Sequence, residues 1–226
     1  MKKIALLLSA LLITTTVWAQ EIEKKEELKG EASPEFRAMR LAGDVVKEGY
    51  EQQSAFTLSD AMQILIDNPT QPLKVDMEGS QTINQGDVKN GTITFDFDKL
   101  LADAKQFADG DETTLKLIAR VEADSKGVHR GAVNGPSIGE YVLPAYSTHT
   151  YDISFVANRI AEVAVSGDGD TDIDLFVYDS NGNLIDKDTD YTDDCYVRWC
   201  PKWTGRFRIV VANRGGVYNH YVIGTN

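Results

Sequence analysis

The feature that most constrains the fold is the period of the hydrophobic pattern, which changes between the two halves of the chain. From residue 139 onward apolar and polar residues alternate, as at Tyr151, Ile153 and Phe155. A period of two places alternate side chains on one face of a β-strand. About seven short segments of this kind, separated by Gly, Asn and Asp turns, predict an antiparallel β-sandwich. The predicted strands are residues 151–155, 162–165, 175–178, 183–185, 196–199, 207–211 and 218–223.

The preceding part of the chain has the longer period of helices. Ser33-Pro34 is typical of a helix start, with a capping residue followed by proline in the first turn. Apolar residues then recur at helical spacing: Phe36, Met39, Ala42, Val46 and Tyr50. Thr57, with Asp60 three positions later, resembles a capping box, and Pro69 follows the end of this second helix. The sequence therefore predicts two helices that pack as a pair.

Three further segments precede the sandwich. Residues 97–108 have apolar side chains along one side of a third helix. Residues 112–124 fit either a helix or a strand, and their acidic start and Lys126 near their end favour a helix. Residues 91–95 are predicted as a short strand.

These elements predict an α+β protein in two parts. A mostly helical domain covers residues 33–125, and the β-sandwich covers residues 139–226. Residues 126–138, which contain several glycines and a proline, are predicted as the linker between them.

The N-terminal residues have the pattern of an export signal. Lys2 and Lys3 precede an apolar run over residues 4–13, and small residues lead to Ala19. The run is shorter than the roughly 20 residues that a membrane-spanning helix needs. We therefore predict a signal peptide over residues 1–19, cleaved after Ala19, and a periplasmic or secreted product without membrane insertion. The charged residues 20–32 are predicted as a flexible lead-in.

The charge of the chain excludes one large class of partner. Its formal net charge is -12, with 42% hydrophobic and 26% charged residues. Nucleic-acid binding needs clustered Lys and Arg to neutralise phosphates. We therefore predict no nucleic-acid partner.

The two cysteines, Cys195 and Cys200, form a candidate disulfide, because an exported protein meets oxidising conditions. If the segment between them is fully extended, their Cα atoms are about 16 Å apart at roughly 3.3 Å per residue. A disulfide requires them within about 7 Å. The sequence leaves two alternatives, a tight loop with a disulfide or an extended strand with two free thiols.

Aspartates are concentrated in one stretch of the sandwich. Between Ser166 and Asp194 there are ten aspartates and one lysine. Such a density of like charges calls for compensation, and Ca²⁺ accepts six to eight oxygen ligands in loose geometry. We therefore predict a calcium site, with a solvated acidic loop as the alternative. The candidate metal ligands are Asp168, Asp170, Asp172, Asp174 and Asp179.

The site is not predicted to be an EF-hand, although its aspartate spacing begins like one. Ile173 stands where the EF-hand loop needs glycine. Residues 175–178 are predicted as a strand where an EF-hand has a helix.

The same stretch resembles a known family. Residues 166–184 run Ser-Gly-Asp-Gly-Asp-Thr-Asp-Ile-Asp-Leu-Phe-Val-Tyr-Asp-Ser-Asn-Gly-Asn-Leu, and Trp203-Thr204-Gly205 precedes a later alternating strand. These motifs resemble those of bacterial pre-peptidase C-terminal domains, over residues 139–226. The resemblance implies a jelly-roll-like β-sandwich, of a kind attached to secreted enzymes, often proteases. It also implies that Ca²⁺ or a matrix polymer such as collagen is bound, as in some members.

Common enzyme motifs do not account for the rest of the chain. The three histidines, His129, His149 and His220, form no His-Glu-x-x-His motif for zinc. The two cysteines lack a cysteine-protease signature, and no glycine-rich phosphate loop is present. A pair of carboxylates for glycoside hydrolysis stays open, because their separation is not visible in a sequence.

Aromatic residues near the C-terminus suggest a surface for a ligand. Tyr196, Trp199 and Trp203 are candidates for a flat platform that would suit a glycan or another polymer. The alternative is that these rings belong to the core, where aromatic side chains contribute most of their stabilisation.

The function predicted from these features is that of an exported, non-catalytic binding or accessory protein. Its sandwich would be stabilised by calcium and would bind a protein, a glycan or an envelope polymer. The alternatives are a secreted hydrolase or hydrolase accessory with an acidic site, and a purely structural envelope protein.

Overall fold

The computed structural model describes residues 30–83, 91–127 and 135–226. The predicted signal peptide lies outside the described residues. So do residues 20–29 of the predicted lead-in and residues 128–134 of the predicted linker.

Two five-stranded sheets form a β-sandwich, which confirms the predicted α+β fold class. Sheet A has the strand order β1-β3-β10-β5-β8, and sheet B has the order β2-β4-β9-β6-β7. Strand pairing is antiparallel except between β1 and β3. The strands are β1 (Gln71–Pro72), β2 (Met77–Glu78), β3 (Ser137–Leu143), β4 (Thr148–Phe155), β5 (Ala161–Gly167), β6 (Ile173–Tyr178), β7 (Leu184–Asp188), β8 (Asp194–Trp199), β9 (Gly205–Asn213) and β10 (Asn219–Thr225).

Alternating side chains fill the space between the sheets, as the sequence predicts. On β4, Tyr151, Ile153 and Phe155 point into this core, while the residues between them are exposed. On β9 the buried and exposed residues alternate in the same way from Arg206 to Ile209. Burial of such apolar side chains contributes about 1.5–3 kcal/mol each.

Four helices are described: α1 (Pro34–Glu51), α2 (Ala55–Asp67), α3 (Phe97–Phe107) and α4 (Glu112–Gly127). The ambiguous segment after residue 112 is helical. Helix α2 begins earlier than predicted, because Ser54 rather than Thr57 caps it, and the Ser54 hydroxyl accepts a hydrogen bond from the Thr57 amide at 3.2 Å. Asp96 caps α3 by accepting from the amides of Asp98 and Lys99.

The helices pack on sheet A and form a second core with it. Ala164 on β5 and Val222 on β10 belong to the same buried cluster as Phe36, Leu58 and Ile118 of the helices. All seven residues of β5 are buried, because sheet B covers one face of this strand and the helices cover the other. The chain from Ala32 onward forms one compact unit of three layers: helices, sheet A and sheet B.

Two predicted boundaries need correction. Residues 91–95 are not a strand; Ile93 and Phe95 are buried against the helices in an extended segment. Strand β3 begins at Ser137, inside the predicted linker. Its residues contact both the sandwich core and the helical core, so β3 lacks the alternation on which the prediction depends.

The described helices include none that is both long enough and apolar enough to cross a membrane.

A buried hydrogen-bonded chain crosses the sandwich interior. His149 Nε2 lies 2.9 Å from the carbonyl oxygen of Ser80, and Nδ1 lies 2.7 Å from the hydroxyl of Tyr221. The Tyr221 hydroxyl also contacts the hydroxyl of Tyr151. Because a carbonyl only accepts, the neutral His149 donates through Nε2 and accepts from Tyr221 through Nδ1. Burial lowers the pKa of His149, although the contact with Ser80 opposes this.

This lowered pKa predicts a loss of stability in mild acid. Because unfolding lets His149 regain its ordinary pKa of about 6.5, the unfolded chain binds the extra proton first as the pH falls below that value. We expect the melting temperature to fall between pH 7.5 and 5.5, and His149→Gln to flatten this dependence. If the melting temperature of His149→Gln fell with pH as steeply as that of the wild type, His149 would not be the group responsible.

Candidate functional site

The predicted metal ligands lie at two ends of strand β6. Asp168, Asp170 and Asp172 belong to the loop between β5 and β6, and Asp174 is the second residue of β6. Asp179 follows the other end of that strand. Six extended residues span roughly 20 Å, so the structure does not bring Asp179 together with the loop aspartates.

Most of these carboxylates accept hydrogen bonds from protein donors. Asp168 Oδ2 accepts from the His220 amide at 2.6 Å, and Asp170 Oδ1 accepts from the Gly91 amide at 3.1 Å. Asp174 forms an ion pair with Arg214, in which Asp174 Oδ2 lies 2.5 Å from Arg214 Nε.

Asp179 has a different role from the loop aspartates. It accepts from the amides of Asn181 and Asn183, both at 2.8 Å, and these bonds hold the turn between β6 and β7. The bonds to Asn183 are the main reason that the pKa of Asp179 is lowered.

Asp172 differs from its neighbours. Its Oδ1 is buried and has no hydrogen-bond partner within the described residues. Loss of solvent is the main cause that raises its pKa, and the charges of Asp174, Asp190 and Asp193 add to it. Across the described ranges, no three His, Cys, Asp or Glu side chains form a group that could hold a metal ion.

A lysine of the helical layer compensates part of this acidic region. Lys47 Nζ on α1 lies 2.8 Å from Asp194 Oδ2 and 4.0 Å from Asp193 Oδ1. Asp194 Oδ1 also accepts from the Ser166 hydroxyl at 2.5 Å. The sequence could not reveal this contact, because 147 positions separate Lys47 from Asp194.

The candidate disulfide is not formed: Cys195 and Cys200 are free thiols. Cys195 lies on β8, faces the core and contacts the Ile173 carbonyl at 3.0 Å, whereas Cys200 follows the end of β8. The extended strand keeps the two residues apart, as in the second alternative above.

The three residues of the predicted aromatic platform do not lie on one common surface. Trp199 is a core residue whose ring centroid lies 4.7 Å from that of Phe155. Tyr196 packs on Phe36 of α1. Trp203 alone of the three candidates is well exposed, and its ring stacks on Phe207.

A different surface combines aromatic and polar side chains, and we call it the outer face of sheet B. It is defined by the side chains of β2, β4, β9, β6 and β7 that point away from sheet A. Strand register places Glu78, Thr150, Val210, Phe176 and Lys187 in one row across the sheet.

A neighbouring row of the same face contains Asp152, Arg208, Tyr178 and Leu184. The face is about 20 Å wide at roughly 4.8 Å per strand.

Two aromatic rings lie on this face, on strand β6 between β9 and the edge strand β7. Phe176 and Tyr178, two residues apart on β6, have ring centroids 6.3 Å apart and ring planes within 21° of each other. The guanidinium of Arg214 lies over the Phe176 ring, 5.9 Å from its centroid. Both rings are partly exposed, so they offer apolar surface among charged groups.

Hydrogen-bonding groups surround the rings. The side chains of Arg208 and Asp152 are 60% and 50% exposed, and Arg208 Nε lies 3.7 Å from Asp152 Oδ1. A polar groove of about 700 Å³ continues along the edge of the face between residues 74–78 and strand β4, and Thr150, Asp152 and Arg206 line it. This arrangement suits an extended ligand that has both apolar ring faces and many hydroxyl groups.

A hydrolase-like motif lies at the start of strand β3. Gly135-Pro136-Ser137-Ile138-Gly139 has the Gly-x-Ser-x-Gly spacing of a hydrolase nucleophile. That motif requires a sharp turn from a strand into a helix. Ser137 instead begins β3 and pairs with Gln71 and Thr225, so the structural context of a nucleophile is absent.

No protein-family model matches the chain, and no curated protein matches it. Among solved structures, it is similar to the pre-peptidase C-terminal domain of a collagenase from Bacillus anthracis, at 9% identity over 40% of this chain and 89% of that chain, with a TM-score of 0.34. It is also similar to PliG of Aeromonas hydrophila, a periplasmic inhibitor of g-type lysozyme, at 12% identity over 40% and 84% of the two chains and a TM-score of 0.32.

A third similar structure is TmCBM61 in complex with β-1,4-galactotriose, at 20% identity over 37% of this chain and 63% of that chain, with a TM-score of 0.25. A pre-peptidase C-terminal domain is thus among the solved structures that the fold of this chain resembles.

Proposed function

We propose that this chain is an exported, non-catalytic binding protein whose outer face of sheet B holds a glycan chain of the cell envelope or its surroundings. The observation that carries the proposal is the pair of partly exposed rings of Phe176 and Tyr178 on a sheet face that no described helix covers. The signal peptide predicted for residues 1–19 supports the location.

The chemistry of the face matches that of a sugar. One side of a sugar ring presents C–H groups, which pack on an aromatic ring, while its hydroxyls need hydrogen-bond partners at the periphery. Tyr178 combines an apolar ring with a polar tip. Arg208 offers several N–H donors in a plane, and Asp152 beside it offers acceptors.

The layer order supports the choice of this face. The outer face of sheet A is occupied by the helices, and its apolar residues are buried there. The outer face of sheet B keeps Asp152, Arg206 and Arg208 exposed. A chain-like ligand can therefore lie across the strands of sheet B without displacing any described element.

Single substitutions on this face should weaken glycan binding without unfolding the protein. Loss of a stacked aromatic ring costs about 1–3 kcal/mol in comparable stacking sites, so Tyr178→Ala should weaken binding about tenfold or more. The measurement is depletion of the purified protein by a panel of insoluble polysaccharides, followed by titration with soluble fragments of the best ligand.

Tyr191→Ala is the matched control, because Tyr191 is 97% exposed and does not belong to this face. Equal loss in both variants, or no loss in Tyr178→Ala, would contradict the proposed face. Retention only by a protein-coated matrix would favour a protein ligand instead. Release of soluble reducing ends would favour the alternative of a hydrolase.

Calcium binding by the loop aspartates stays a prediction, and we propose it as a stabilising addition to this function. What supports it is the unpartnered Oδ1 of Asp172 beside the charges of Asp174, Asp190 and Asp193. A divalent cation, when bound, would supply the missing positive charge there.

Thermal melts with calcium and with chelator test this proposal. At about a hundred times the dissociation constant, calcium should raise the melting temperature by roughly 5–10 °C. Asp172→Asn should remove most of this shift. Asp186→Asn should leave it unchanged, because Asp186 is exposed and accepts from the adjacent Lys187 amide. No shift at excess calcium would remove the ion from the account.

A further inference from the structure

A second cavity lies where the helices meet the edge of sheet A. It has a volume of about 490 Å³ and is bounded by α2, the start of α3, the end of α4 and strands β1 and β3. We call it the helix–sheet pocket. Its volume is within the range of about 300–1,000 Å³ that is typical of small-molecule sites.

The floor of the helix–sheet pocket is apolar. Leu65 and Ile66 from α2, Phe97 from α3 and Ile138 from β3 line it. All four side chains pack against the helical core but are only partly buried. The pocket thus leaves apolar surface open next to a well-packed core.

The charged groups of the pocket are all of one sign. Asp96, Asp98 and Glu140 line it, and the described lining residues include no Lys, Arg or His. Two hydrogen bonds orient Glu140: Oε1 accepts from the Phe95 amide at 2.6 Å, and Oε2 accepts from the Thr94 hydroxyl at 2.9 Å. A fixed carboxylate beside an apolar floor is a preorganised partner for a positive charge, because little freedom is lost on binding.

The electrostatics of Glu140 agree with this geometry. Glu140 is exposed on one side, and partial loss of solvent around its carboxyl raises its pKa; the charge of Asp96 adds to the effect, although the bonds from Phe95 and Thr94 oppose it. A cation in the pocket would relieve this cost.

We propose that the helix–sheet pocket binds a small organic cation: an ammonium group beside Glu140, joined to a flat apolar body that lies on Ile66, Phe97 and Ile138. This inference is independent of the outer face of sheet B, because the pocket lies on the opposite side of sheet A from sheet B.

Three probes of similar shape and different charge test the proposal. Isothermal titration calorimetry of the full chain is run at pH 7 with 2-phenylethylamine, 2-phenylethanol and phenylacetate. We expect the amine to bind, the neutral alcohol to bind at least about fivefold more weakly and the carboxylate to give no binding, since the pocket carries only negative charges. Equal binding of amine and alcohol, or no binding of the amine at millimolar concentration, would overturn the proposal.

Variants then assign the binding to this pocket. Glu140→Gln, which keeps the shape and one acceptor, should weaken amine binding about tenfold, as expected for one lost charge pair near a protein surface. Glu112→Gln, at the exposed start of α4 and outside the pocket lining, is the matched control and should bind as the wild type does.

Ile66→Trp should fill the pocket and abolish amine binding. Circular dichroism and a thermal melt confirm that each variant is folded, and Asp98→Asn replaces Glu140→Gln if that variant does not fold. Amine binding that survives both the charge change and the filled pocket would overturn the proposal.

Discussion

The interior of sheet A, at strand β5, is buried on both faces, and the rest of the molecule follows from that constraint. Its strand β5 has no exposed residue, because Val163 and Val165 face sheet B while Ala164 faces the helices. An apolar outer face on a sheet cannot stay in water without cost, so the helical layer is needed to cover it. Once the helices occupy sheet A, the only broad sheet face left open among the described elements is that of sheet B.

The sequence predicts the elements well where one face of each is buried. On β4 and β9 the alternation locates the strands, and in α1 the spacing of Phe36, Met39 and Ala42 locates the helix. It fails for β3, which contacts both cores and therefore does not alternate. The spacing of apolar residues in a segment indicates whether one face or both faces are buried, but it does not show which other element covers each face.

The residues of the candidate site are harder to predict, because the sequence pattern does not show which face of a strand stays exposed. Residues 175–178 form a short apolar run, and nothing in that run distinguishes the inward Leu175 and Val177 from the outward Phe176 and Tyr178. Trp199 resembles a ligand platform in sequence but lies in the core. Only the pairing of β6 with β9 and the position of the helices assign each ring to a side.

The net charge of the chain does not show where its positive side chains lie. The chain has a net charge of -12, yet Arg206, Arg208 and Arg214 lie on or beside the outer face of sheet B. Arg206 and Arg208 lie on β9 and Arg214 directly follows it, so a single strand places all three there, and the total charge does not reveal this. The aspartates are similarly separated by structure: Asp179 holds a turn, and Asp174 pairs with Arg214.

The most direct measurement of the central claim is hydrogen–deuterium exchange with and without a soluble fragment of the bound glycan. The account predicts that the ligand slows exchange in β4, β9 and β6 of sheet B, while β3 and β10 of sheet A exchange as before. Protection confined to the helices or to the loop at residues 190–193, with sheet B unchanged, would contradict it.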